Sequence, residues 1–179
     1  RNQQLMIQEV KTLREPVRLA EGFQGGALDE LALDRGWQAL ARFGKKLRGF
    51  EAGRVRAVAT SAVRQADNAP LFLASAERHL GFRIDVISGH EEAQLVYAGV
   101  AHTLPDTQRM RLVVDIGGGS TELILGQGAQ PLLTESVAVG SGTVGARYFP
   151  GGAISARALL EAERVATLQF ERVARRYRA

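Results

Sequence analysis

Residues 111–125 read RLVVDIGGGSTELIL, and this stretch decides the fold. A short apolar run ends in Asp115, three consecutive glycines follow, and a second apolar run begins at Thr121. Short apolar runs separated by glycine predict two adjacent strands joined by a tight turn. A third run, LLTESVAV at 132–139, comes a few residues later. We therefore predict an antiparallel meander of three strands in the second half of the chain.

Elsewhere, short β-rich runs alternate with segments of helical periodicity, which indicates an α/β layer. The β-rich or extended segments are 5–13, 17–19, 55–59 and 82–87. The helical segments are 30–49, Pro70 to Gly81, Ser88 to Val100, and a long one from Ser155 onward. The polar segment around 102–110 is the predicted boundary between two units, residues 1–103 and residues 104–179.

Composition and charge exclude several classes of protein. The chain has 179 residues and no cysteine, which excludes a disulfide scaffold, a thiolate metal site and a cysteine nucleophile. No run approaches the roughly 18 apolar residues of a membrane-spanning helix. The formal net charge is +4, but the basic residues are dispersed, so a nucleic-acid-binding surface is not expected. The charge balance is compatible with an anionic small molecule or a polyanion as ligand.

The glycine turn is the strongest candidate site. Successive N–H groups in such a turn form an anion-binding nest, glycine allows strained dihedral angles, and the Ser120 hydroxyl adds a donor. Asp115 and Glu122 flank the turn, and carboxylates beside a phosphate are what Mg²⁺ uses as ligands. The alternative is a plain hairpin turn without a ligand.

The segment SGHEEA at 88–93 supplies a second candidate. Ser88 and Glu91 have the spacing of a capping box, which gives Glu91 a structural role. Glu92 is predicted to lie on the inward face of the helix with Leu95, Val96 and Gly99, where a carboxylate is costly unless it is paired or used. A catalytic base that orients water fits this position. The alternative is a partner of the helix dipole near the N-terminus.

Two further stretches each allow two interpretations. Arg64 follows the strand at 55–59, and loops at the carboxyl ends of strands are where α/β sheets place ligands. Its guanidinium can bind a phosphate, or it can be a surface arginine. Gly140 and Ser141 open the segment GSGT, which is either another backbone site for anions or a simple turn.

In this order and spacing, the motifs resemble those of the exopolyphosphatase / guanosine pentaphosphate phosphohydrolase family. The resemblance runs through VRLAEG at 17–22, VRAVATSAVRQADN at 55–68, VISGHEEAQLVYAGVAHT at 86–103, LVVDIGGGSTELILG at 112–126 and YFPGG at 148–152. It implies the α/β fold of the actin-like ATPase superfamily, with two ribonuclease-H-like lobes of mixed sheets flanked by helices and an active cleft between them. It also implies Mg²⁺-dependent removal of a terminal phosphate from inorganic polyphosphate, or from pppGpp to leave ppGpp.

The resemblance also assigns roles to individual residues. Glu92 corresponds to the glutamate that activates the attacking water, and Asp115 and Glu122 to acidic residues that handle metal and water. The second phosphate-binding loop is represented by Gly117, Gly118, Gly119 and Ser120. Arg64 corresponds to an arginine implicated in phosphate contact. The implied protein is cytoplasmic, with peripheral membrane contact left open, and a homodimer when full length.

One departure from the family pattern matters. Family members begin with two strands around a first phosphate loop of the type Asp-x-Gly-Ser-Asn-Ser, and this motif does not occur in the sequence. We therefore expect an incomplete two-lobe core that is inactive or nearly so by itself. The alternatives are a non-catalytic sensor that binds polyphosphate or ppGpp, and an ATP-dependent kinase or ATPase of the same superfamily.

Overall fold

The computed structural model describes residues 12–105 and 109–178. The first half contains a small hairpin, a two-stranded parallel sheet and three helices. Its elements are β1 Phe23–Gln24, β2 Ala27–Leu28, α1 Glu30–Lys46, β3 Ala57–Ala59, α2 Ser61–Arg64, α3 Ala69–Leu80 and β4 Ile84–Val86. Helix α3 connects β3 to β4, which pair in parallel with Ala57 opposite Ile84.

Helix α3 matches its predicted bounds within one residue, and α1 begins at the predicted Glu30 but ends at Lys46, three residues before the predicted end at 49. Asp29 caps α1 by accepting a hydrogen bond from the Ala32 N–H at 2.7 Å. Pro70 lies in the first turn of α3, and Gly81 ends that helix with φ 83°, a left-handed conformation that suits glycine. The two helices pack on the parallel sheet around Leu33, Phe72 and Leu80. Trp37 is partly buried and packs against this cluster.

The second half is built on the predicted antiparallel meander. Helix α4, Gly89–Thr103, precedes the strands β5 Met110–Ile116, β6 Thr121–Gln127 and β7 Gln130–Val137. One face of this sheet packs on α4, where Ala93 and Tyr97 meet Ile124 and all three are fully buried. On the opposite face, β5 exposes the apolar side chains Met110, Leu112, Val114 and Ile116.

Helices close the described part of the chain. They are α5 Ser141–Tyr148 and α6 Ala156–Ala174. The predicted N-cap of α6 is confirmed, since Ser155 accepts from the Ala158 N–H at 3.2 Å. Within residues 12–105 and 109–178, no helix is long and apolar enough to cross a membrane.

Three local predictions differ from the structure. Leu19 was predicted to be extended but begins a 3₁₀ turn, Leu19–Gly22; most of the segment 5–13 lies outside the described residues. Residues 60–68, for which no helix is predicted, contain α2, whose first turn closes on the Thr60 carbonyl. Of the two interpretations of GSGT, the simple turn is wrong, because helix α5 begins at Ser141. The domain boundary between residues 103 and 104 stays a prediction. Helix α4 precedes this boundary in the chain but packs against β6 and β7, which follow it.

Candidate functional site

A polar cleft of about 620 Å³ lies between the two halves of the chain. One wall comes from the first half, with residues 15–21 and Thr60 to Ala62, and the other from the second half. The second wall contains Glu92, Gly117, Gly118, Gly119, Ser120, Ser141 and Gly142. Six of the ten predicted site residues therefore line one cavity. Asp115, Glu122, Gly140 and Arg64 lie outside its lining.

The glycine turn keeps its backbone donors free. Among the hydrogen bonds of the described residues, none uses the N–H of Gly118, Gly119 or Ser120, and all three residues line the cleft. Free consecutive N–H groups are the requirement for an anion-binding nest. The Gly117 N–H is engaged, because it donates to the Ser120 carbonyl at 2.9 Å.

Glycine is needed here for space and not for its dihedral freedom. None of the three glycines has a positive φ, so the left-handed conformation that glycine permits is not used in this turn. A Cβ atom on Gly119 would instead lie 2.8 Å from Ser61 Oγ in the first half. The absence of side chains therefore lets the turn approach the opposite wall of the cleft.

The start of α5 braces the glycine turn. The Ser141 N–H donates to the Gly117 carbonyl at 2.9 Å, and the N–H groups of Gly142 and Thr143 both donate to the Gly118 carbonyl. The Ser141 hydroxyl also donates to the Gly117 carbonyl at 3.1 Å. These donors hold the carbonyls of the turn. Direct phosphate contact by Gly140 and Ser141 stays a prediction.

Glu122 lies behind the turn and is 1% exposed. Its Oε1 accepts hydrogen bonds from Ser120 Oγ at 2.6 Å and from Ser136 Oγ at 2.8 Å. Ser120 therefore directs its single hydroxyl proton at Glu122, so the donor that it offers an anion in the cleft is its backbone N–H. Asp115 pairs directly with Glu122 across β5 and β6, which places both carboxylates on the sheet face that α4 covers.

Glu92 comes from the first turn of α4, and its side chain is 16% exposed. The predicted inward face is only partly correct: Val96 packs against the buried Ala93 and Tyr97, whereas Leu95 and Gly99 are exposed. Glu92 is shielded instead by the loop after β3, where Thr60 hydrogen-bonds its carboxylate and Arg64 Nη1 lies 3.3 Å from Oε2.

The pKa of Glu92 is raised above the ordinary value for glutamate. Burial is the largest cause and the nearby Glu122 the next, while Thr60 and Arg64 act in the opposite direction. A carboxylate that is held on a cleft wall with a raised pKa is suited to accept a proton near neutral pH. The neighbouring Glu91 completes the predicted capping box with Ser88, which is confirmed.

Arg64 faces a second cavity, of about 630 Å³, with Gln65, His90, Thr134 and Ser136 in its lining. Its Nη1 donates to the Ile87 carbonyl at 2.6 Å as well as to Glu92. Arg64 thus holds the carboxylate of Glu92, the candidate base. Contact between Arg64 and a phosphate stays a prediction.

Sequence reasoning did not identify Ser136 as part of the site. Ser136 lies two positions after Thr134 on β7. The feature that could have identified it is the strand register, which sets Ser136 opposite Glu122. That register follows from the turn between β6 and β7. Arg18 was also missed; it lines the cleft and is the one non-glycine residue in the described ranges with a positive φ, 53°.

Comparison with known proteins gives one family. The model of the Ppx/GppA phosphatase family matches residues 1–179. An exopolyphosphatase-like protein of known structure is 30% identical, with a TM-score of 0.80 over 89% of this chain and 51% of its own. An exopolyphosphatase from Cytophaga hutchinsonii is 31% identical, with a TM-score of 0.65 over 70% of this chain and 40% of its own.

A Ppx-GppA enzyme from Aquifex aeolicus is 30% identical, with a TM-score of 0.60 over 83% of this chain and 49% of its own. The predicted family and the predicted α/β fold are both confirmed by these likenesses. The chain spans about half of the length of these relatives, or less.

Proposed function

The chain belongs to the Ppx/GppA phosphatase family, and from this premise we propose that its cleft hydrolyses the terminal phosphoanhydride bond of inorganic polyphosphate or pppGpp. The observation that carries the proposal is the pairing of two features in one cavity. Glu92, with its raised pKa, lines the same cleft as the free N–H groups of the glycine turn. One feature is suited to take a proton from water and the other to bind a phosphate.

The proposed reaction uses few groups of the chain. The terminal phosphate accepts hydrogen bonds from the N–H groups of Gly118, Gly119 and Ser120. Glu92 accepts a proton from water as the water oxygen bonds to the terminal phosphorus. The anhydride P–O bond breaks, and the leaving phosphate keeps the electron pair. Such a transfer depends mainly on positioning and on electrostatic stabilisation.

The donor set fits Mg²⁺, which usually binds one or two carboxylates together with phosphate oxygens and water. Asp115 and Glu122 lie directly opposite each other on β5 and β6, and their carboxylates are hard oxygen donors. No cluster of three His, Cys, Asp or Glu residues within the described ranges could hold a metal by itself. We propose that these two residues hold Mg²⁺ together with the substrate. The bound ion would neutralise charge on the phosphates.

The test measures phosphate release by the full-length protein, meaning a chain of the relatives' length that contains residues 1–179. Long-chain polyphosphate and pppGpp are compared with and without Mg²⁺. Replacing the base in Glu92→Gln is expected to lower kcat by about 10²–10⁴-fold. Glu91→Gln is the matched control, because glutamine also completes a capping box; we expect its kcat to stay within about 2-fold of the wild-type value.

A non-catalytic sensor would give a different result. It would bind polyphosphate or ppGpp without turnover, and Glu92→Gln would leave both binding and output unchanged. We expect the 179-residue chain by itself to release phosphate slowly or not at all, because it spans about half of the length of its solved relatives. Rapid release by this chain would contradict that expectation. The cytoplasmic location and the homodimer stay predictions.

A further inference from the structure

Two serines bind the same oxygen of the buried Glu122 carboxylate. Ser120 and Ser136 both donate to Oε1, and neither bond uses Oε2. Every buried side-chain oxygen or nitrogen of the described residues has a hydrogen-bond partner. No hydrogen bond among the described residues uses Oε2, so this oxygen is not fully buried, although Glu122 as a whole is only 1% exposed. The two serines therefore divide the carboxylate into an anchored oxygen and an unpartnered one.

We propose that Ser136 is a positioning residue that fixes the Glu122 carboxylate so that Oε2 is the atom presented to metal or water. The inference rests on the role of Glu122 in the proposed function. Ser120 alone cannot define the orientation, since a carboxylate held by one hydrogen bond still rotates about its last side-chain bond. A second donor on the same oxygen, from a different strand, removes that rotation.

The packing at Gly89 supports this role. A Cβ atom on Gly89 would lie 2.5 Å from both Cβ and Oγ of Ser136. The first residue of α4 therefore touches the serine that anchors Glu122, and the same helical turn carries Glu92. Ser136 thus sets the position of Glu122 and lies against the backbone that positions Glu92.

Thr134 provides a matched control for Ser136. It lies two residues earlier on β7, on the same face of the sheet, and its hydroxyl bonds the His90 ring. Both hydroxyls line the second cavity. Removing either one deletes a hydroxyl of β7, but of the two only Ser136 bonds Glu122.

The experiment compares Ser136→Ala with Thr134→Ala in two settings. In the full-length protein we expect Ser136→Ala to lower kcat by about 10-fold, at the lower end for residues that orient metal-binding groups. KM for polyphosphate should change by less than about 2-fold, because the N–H groups of the turn are intact. Thr134→Ala should leave both constants within about 2-fold of the wild-type values.

The second readout is independent of activity. In the 179-residue chain, the NMR shift of the Glu122 carboxyl carbon should be the same in the wild type and in Thr134→Ala. In Ser136→Ala it should move, because the carboxylate loses one of its two hydrogen bonds. Gly89→Ala is the second variant: it retains the Ser136 hydroxyl but displaces it, so it should reproduce both the change in shift and the loss of kcat.

The outcomes separate this inference from the proposed function. If Glu92→Gln abolishes turnover but Ser136→Ala behaves like Thr134→Ala, the positioning role is overturned and the hydrolase stands. If Glu92→Gln has no effect, the proposed function itself fails. A loss of kcat that accompanies a collapse of Tm in both Ser136→Ala and Gly89→Ala would also overturn the positioning role.

Discussion

Glu91 and Glu92 are neighbours on one helix, yet their surroundings shift their pKa values in opposite directions. The backbone N–H and the hydroxyl of Ser88 bond the Glu91 carboxylate and lower its pKa. Burial and the charge of Glu122 raise the pKa of Glu92. Glu91, which the capping box holds in place, can therefore serve as an internal reference for the pKa of Glu92.

We predict that the two carboxyl carbons titrate on opposite sides of the ordinary glutamate pKa. The measurement is a pH titration of the side-chain carboxyl carbons by NMR. Glu122→Gln should lower the midpoint of Glu92, because it removes the nearby negative charge, and should leave Glu91 unchanged. Coincident midpoints for Glu91 and Glu92 in the wild type would contradict the geometry.

The sign of the linked stability follows from the same shift. Folded protein holds the Glu92 proton more tightly than the unfolded chain does. The contribution of Glu92 to stability is therefore fully present below the unfolded pKa and is lost as pH rises through the folded pKa. The ionised form that the proposed reaction requires is the form that the fold tolerates less well.

At the scale of residues, the carboxylates and the glycine turn could be predicted from the sequence, but the contacts that hold them in place could not all be predicted. Glu92 was placed on the buried face of α4, whereas its shield is a loop about 30 residues away in the chain. Ser136 was not predicted, because its partner depends on the register of two strands. Helical periodicity describes the faces of a single helix, whereas these contacts join residues from several elements.

At the scale of elements, α5 shows how a helix can begin on a turn of another element. Its first N–H groups bond to the carbonyls of Gly117 and Gly118, so the glycine turn takes the place of a side-chain cap. Sequence patterns did not predict the helix, because glycine and threonine are poor helix formers and GSGT is equally compatible with a turn. The groups that stabilise the start of this helix are the carbonyls of the glycine turn, about 20 residues earlier in the chain.

Two glycines of this helix provide a matched pair of substitutions. A Cβ atom on Gly140 would lie 2.5 Å from the backbone of Gly118 and Gly119, whereas nothing lies within 4 Å of a Cβ atom on Gly145. We predict that Gly140→Ala lowers the free energy of unfolding by about 1–3 kcal/mol through the clash. Gly145→Ala should raise it by roughly 0.5–1 kcal/mol through helix propensity.

Urea denaturation of both variants checks this pair. Because the clash at Gly140 is with backbone, which cannot rotate away, relief would require the turn itself to move. Equal effects of the two substitutions would show that α5 does not brace the turn. The N–H groups of Gly118 and Gly119 should also change their NMR shifts in Gly140→Ala and not in Gly145→Ala.

At the scale of the whole molecule, residues 12–105 and 109–178 form two separate hydrophobic clusters with a polar seam between them. The larger cluster contains Phe72 and Leu80, and the smaller one consists of Ala93, Tyr97 and Ile124. The seam is made of small residues, such as Ser61 against Gly119, and of the Arg64–Glu92 ion pair. A two-part organisation was predicted from the sequence, but how α4 is shared between the parts was not, since that depends on tertiary packing.

Because the seam buries few apolar groups, we predict that the two halves unfold with separate responses to core mutations. Ile124→Ala should destabilise the second sheet by about 3 kcal/mol, which corresponds to roughly 100-fold faster amide exchange in β6 if exchange requires local unfolding. Trp37, the single tryptophan of the chain, packs on the first cluster and reports on that half alone. Its fluorescence midpoint in urea should not move.

Leu80→Ala is the reciprocal experiment, because Leu80 is buried in the first cluster. It should lower the urea midpoint of Trp37 fluorescence and leave exchange in β6 unchanged. If either substitution shifts both reporters by the same free energy, the halves form one cooperative unit. The polar seam would then couple them more strongly than its small contacts imply, and substitutions in either core would alter the cleft between them.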